Sequence, residues 1–120
     1  MPDLTTLTAP FADAEHQTFS LGLDQLRELE ERSGRGPMAT FQRLAAGAWS
    51  VDEVRETIRL GLIGGGKEPA EALKLVQRYV DGQPLERSIM LAMAVLAARL
   101  SGADKGRSIL MAGGLIPAEE

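Results

Sequence analysis

The stretch GLIGGGKEP, residues 61–69, decides how the chain divides into elements. Read one way, it is chemistry. Gly61, Gly66 and Lys67 stand at the spacing of a phosphate-binding loop, in which Gly-rich backbone N–H groups cradle phosphate oxygens and a following Ser or Thr ligates magnesium. Glu68 takes the hydroxyl position and would repel a triphosphate, and Pro69 removes a backbone donor. Such a loop also follows a buried strand, whereas the preceding residues, VDEVRETIRL, carry helical spacing. Read the other way, the stretch is punctuation. Gly64, Gly65 and Gly66 end one helix and Pro69 opens the next. The second reading predicts two helices around a turn, and no nucleotide.

The helix before the turn has the clearest start in the sequence. Ser50-Val51-Asp52-Glu53 is a capping box: the Ser50 hydroxyl can accept from the Glu53 N–H, and the Glu53 carboxylate from the Ser50 N–H. Trp49 precedes the cap and pairs with Val54 as a hydrophobic staple. Val51, Val54, Ile58 and Leu62 then share a face with Gly61. A Gly there weakens a helix by about 1 kcal/mol, so Gly61 predicts a close approach by another element.

Upstream, period-two alternation of Gln17, Phe19 and Leu21 predicts a strand over 16–21, paired with a run over 6–12. Asp13-Ala14-Glu15 reads as their turn and Pro10 as an edge residue. A helix over 22–33 presents Leu23, Leu26 and Leu29 and stops at Gly34. Another begins at Pro37, buries Met38, Phe41, Leu44 and Ala45, and ends at Gly47. Downstream, a helix over 69–80 turns Ala72, Leu73, Val76 and Val80 inward. A last helix over 84–100 carries Leu85, Ile89, Ala92, Met93, Leu96 and Leu100. The expected fold is mainly α (α+β): an N-terminal hairpin and about five helices in a small bundle. Residues 1–102 read as one domain. Residues 103–120, broken by Gly113-Gly114, read as a flexible tail, or as a short apolar peptide that docks on a partner or on the chain's own body.

The last helix is apolar on nearly every side between Ile89 and Ala98, so it is either a core helix or one covered by a partner. Met90, Leu91, Met93 and Ala94 are the candidate partner-facing residues, since methionines suit adaptable contacts. Composition narrows the chemistry further. A chain of 120 residues with 44% apolar residues can bury a modest core. A net charge of −4 argues against a nucleic-acid partner. With no cysteine and a single histidine, His16, there is no disulfide framework, thiolate nucleophile or multi-His metal site. The longest apolar run is about half a bilayer span, and no basic segment precedes an apolar one at the N-terminus. Glu28, Glu30 and Glu31 beside Arg27 and Arg32, and Arg55, Arg59, Lys67 and Arg78 among Glu53, Glu56 and Glu71, read as solvated charge. No catalytic residue, cofactor, metal or small-molecule substrate is expected.

The order of these features resembles a known family. FADAEHQTFSLGL leads into LDQLRELEERSGRGP, then LAAGAWSVDEVRETIRLGLIGGG, KEPAEALKLVQRYVDGQPL and an apolar helix. This series, over about residues 10–100, is similar to the small tail proteins of gene transfer agents, also met in tailed phages. The resemblance implies a cytoplasmic tail assembly chaperone, which holds the helical, apolar tape-measure protein until tube subunits replace it. Tail-tube labels also circulate for the family, and a structural component kept in the finished tail is the alternative. An unrelated helical adaptor is the reading if the resemblance fails. Homo-oligomers are open in each case.

Overall fold

The computed structural model describes residues 4–118. Two antiparallel strands, β1 (Leu7–Phe11) and β2 (Ala14–Phe19), precede α1 (Leu23–Ser33), α2 (Pro37–Ala45), α3 (Val51–Gly64), α4 (Pro69–Val76), α5 (Glu86–Ser101) and α6 (Ala103–Ala112). The hairpin and helices give the expected α+β class, with one helix more. No helix among the described residues is long and apolar enough to cross a membrane.

The hairpin turn is tighter than Asp13-Ala14-Glu15. Phe11 faces Ala14, which leaves Ala12-Asp13 as a two-residue turn, with Ala12 at φ +55°. Left-handed backbone at this position matches the twist of hairpin strands. Pro10 sits where the register shifts between Ala9 and Phe11, a place where a ladder donor is not needed. Leu7, Ala9 and Phe11 point inward from β1, and Phe19 and Leu21 from β2 and its end.

Both directions of the capping box are made. Glu53 N–H donates to Ser50 Oγ at 3.2 Å, and Ser50 N–H to Glu53 Oε1 at 2.9 Å. Trp49 packs half-buried against the core. From α3, Val54, Ile58, Leu60 and Leu62 are fully enclosed. The helix after the triple glycine begins at Pro69 as expected but leaves the α conformation at Val76. Gln77–Asp81 continue it as a π turn.

Helix α5 is the centre. Leu91, Ala92, Ala94, Val95, Leu96, Ala97 and Ala98 are buried, and α2, α3, β1 and α6 pack around it. Of the two readings of residues 103–120, a flexible tail or an apolar peptide docked on a partner or on the chain's own body, the structure has the chain's own body as the dock, with residues 103–112 forming α6. Glycine is a poor helix former, but Gly106 occupies a notch with no room for a side chain. A Cβ there would stand 2.6 Å from the Ala94 carbonyl oxygen, 3.1 Å from Ala98 Cβ and 3.2 Å from Leu7 Cδ1. Leu110 is fully buried behind it. Gly114, at φ +75°, turns the chain so that Leu115 N–H reaches the Leu110 carbonyl at 2.9 Å and the Leu115 side chain enters the core. Packing overrides local propensity here.

Candidate interaction surface

The triple glycine is where α3 meets the hairpin. A Cβ on Gly64 would overlap the Ser20 carbonyl oxygen, and one on Gly65 the Thr18 carbonyl oxygen. Ser20 N–H donates to the Gly61 carbonyl at 3.0 Å. Gly61 itself provides the anticipated close approach, since its Cβ would lie 3.1 Å from Val95 Cγ1 on α5 and 3.2 Å from Phe19 Cδ1 on β2. The donors that a phosphate loop turns toward its ligand are used to close the helix. Gly65 N–H reaches Gly61 O at 2.9 Å, Gly66 N–H reaches Ile63 O at 3.0 Å and Lys67 N–H reaches Leu62 O at 2.9 Å.

Charge is organised along α3 more tightly than a solvated face. Glu53 is only 1% exposed, and it joins three segments: it accepts from Arg35 Nη1 at 3.0 Å and from Arg43 Nε at 3.0 Å besides capping Ser50. Glu56, also buried, forms a four-membered cluster with Glu28, Arg32 and Arg59. Arg59 donates to Glu56 at 2.7 Å and to Glu28 at 2.8 Å, while Arg32 reaches Glu28 at 2.9 Å and Glu56 at 3.0 Å. The Arg59 hydrogen bond holds the Glu28 carboxyl below its ordinary range, against the effect of burial. Burial pushes Glu53 up, but the Ser50 amide, the Arg43 guanidinium and the Ser50 side chain outweigh it, and Glu53 is lowered. Arg55 pairs with Asp81 of the π turn. The capping box was a local signal for the inward Glu53. Its arginine partners come from 18 and 10 positions away, which no spacing rule connects.

The apolar surface differs from expectation in both directions. Leu23, Met38, Val51 and Leu73, each read as inward from helical spacing, are 56%, 50%, 52% and 40% exposed. Ala45 is exposed as well. Conversely, Leu91 and Ala94, two of the four residues expected to face a partner, lie in the core, while Met90 and Met93 are half-buried. Ala94 is covered by α6, whose Gly106 sits against its carbonyl, and Leu91 lies beside the hairpin turn and Leu115, which follows α6. A cleft of about 480 Å³ remains beside it, between the hairpin turn, Tyr79, the start of α5 and Leu115. The Tyr79 hydroxyl donates to Asp13 across its rim at 3.2 Å.

The surface thus consists of an ion-paired face along α1 and α3, single exposed apolar side chains at helix starts and on α4, and an open cleft. No group of three or more His, Cys, Asp and Glu among the described residues is placed to hold a metal ion. Family comparison gives a match over residues 5–102 to the family described as "Phage tail tube protein, GTA-gp10". The chain belongs to this family. The match runs from the hairpin to the end of α5, so the GTA-gp10 family unit contains Glu53, the triple glycine and all of α5, and α6 lies beyond it. The resemblance to gene transfer agent tail proteins therefore holds for the family; its description names a tail tube protein and not an assembly chaperone. No curated protein and no solved structure matches the chain.

Proposed function

We propose that this chain is a non-enzymatic component of a phage-like tail, associated with the tail tube and working through contacts with other tail proteins and with copies of itself. The observation that carries this reading is the family match, which spans both strands and the helices up to α5. The surface is compatible with it. Leu23, Met38, Val51 and Leu73 offer apolar contact points, of the kind that mark protein interfaces where they gather into patches. The excess of acidic residues suits protein partners better than nucleic acid.

A second reading is a chaperone that covers a helical tape-measure protein in the host cytoplasm before the tube closes round it. Met38, Leu23 and Leu73 favour it, since exposed apolar side chains on helices offer contacts to an apolar helix, and the unbranched Met38 adapts to varied poses. Quantitative mass spectrometry of purified particles separates the two. A tube-associated component is present in fixed ratio to the other tail proteins. A chain absent from particles, yet co-purifying with the tape-measure protein from lysate, is a chaperone.

A further inference from the structure

We propose that α6 is a hinged arm, and that the face it covers on α5 and β1 is a docking site for the α6 of a second copy of this chain. The connection between α5 and α6 is one residue, Gly102, at φ +103° and ψ 157°. That backbone region is essentially restricted to glycine. Straightening this residue releases the whole of α6, because the arm packs chiefly on α5 and β1. The arm also lies outside the stretch matched by the family, which ends at residue 102.

The receiving face is specific. Gly106 enters the notch formed by the Ala94 carbonyl, Ala98 and Leu7, Leu110 is sealed behind it, and Gly113 abuts Met90. A helix with a larger residue at the first of these positions is excluded by the Ala94 carbonyl. The sequence known to satisfy the face is α6 itself, so the α6 of a neighbouring copy satisfies it contact for contact. An arm that leaves its own body uncovers Leu7, Ala94 and Ala98, which are buried with it in place, and exchange between copies restores that burial with no new contact to design. Gly102 itself is at ease in that conformation, since it has no Cβ to clash, and any other residue there would be strained. Passed head to tail, the arm joins copies into a ring or an open series. The exchange is a property of the isolated chain and stands apart from the tail reading.

The absence of cysteine from the sequence makes the test direct. A Cβ at Gly113 would lie 3.3 Å from Met90 Cγ, so Met90→Cys and Gly113→Cys report the docked arm. The double variant, diluted and mildly oxidised, is expected to cross-link within one chain and then to stay monomeric. M90C and G113C chains, differently tagged and mixed at high concentration, are expected to form a disulfide-linked heterodimer well above that of M90C with Q77C, which probes random collision at an exposed site. Gly102→Ala, strained in the docked hinge, is expected to raise the heterodimer yield several-fold when placed in the G113C chain. Cross-linking of M90C with G113C no better than with Q77C overturns the proposal. So does a yield that Gly102→Ala leaves unchanged or lowers.

Discussion

At the scale of single residues, two kinds of glycine in one turn carry different duties. Gly64 is needed because of what touches it: the Ser20 carbonyl occupies the space of its side chain. Gly66 is needed because of its own backbone, at φ +111° with open space around it. Gly64→Ala therefore forces β2 away from α3 and should cost about 3 kcal/mol, the upper end for over-packing. Gly66→Ala stores only local strain, about 1–2 kcal/mol. Urea denaturation of both variants checks the order; equal costs would mean that the hairpin yields freely. The same comparison applies at the capping box. Ser50→Ala loses one cap acceptor and should cost about 1 kcal/mol. Glu53→Ala also strips Arg35 and Arg43 of their carboxylate and should cost about 2–3 kcal/mol, a value tempered by the partial exposure of both arginines.

At the scale of elements, burial of α5 sets what a mutation can report. Leu91→Glu places an unpaired carboxylate in the core and should unfold the chain, since that burial costs several kcal/mol. Met90→Glu, on a half-buried position at the edge of α6, should remain folded with a lowered melting temperature. Circular dichroism during heating distinguishes them, and a folded Leu91→Glu chain would contradict the central place of α5. The C-terminus of α3 gives a sharper test. Its amides are committed to helix carbonyls, so titration with ATP and magnesium should leave the melting temperature unchanged. A micromolar ligand at millimolar concentration would add about 4 kcal/mol, an effect too large to miss.

At the scale of the whole molecule, the ion-paired face makes stability depend on acid. Glu28 and Glu53 both have folded pKa values below the ordinary 4.5. A depressed carboxylate stabilises the fold fully above its unfolded value, and that contribution is lost as the pH falls through the folded value. The urea midpoint should be flat from about pH 6 to 8 and should drop steeply below about pH 4. Glu53→Gln should flatten the acid limb more than Glu28→Gln, because Glu53 is almost wholly enclosed while Glu28 is partly solvated and screened. An acid limb unchanged by either variant would assign it to other carboxylates.

The sequence by itself determined what short-range rules govern. The capping box at Ser50 and Glu53, the break at Gly64–Gly66 and the start at Pro69 each depend on residues a few positions apart, and each appears where its pattern puts it. The alternation that buries Phe19 and Leu21 also holds, although the strand itself runs over Ala14–Phe19 and not 16–21. The order of these pieces was also enough to reach the family. Tertiary structure decided the rest. Helical spacing names a face, but not whether a neighbour covers it, so Leu23, Met38, Val51 and Leu73 are exposed while Leu91 and Ala94 are enclosed. Residues 103–112 look unfit for a helix until Ala94 and Ala98 are placed beside them, because Gly106 is favourable only against another backbone. Glu53 looks like a surface charge until folding brings Arg35 and Arg43 to it. In each case the deciding atom lies far away along the chain, and only three-dimensional packing brings it into contact.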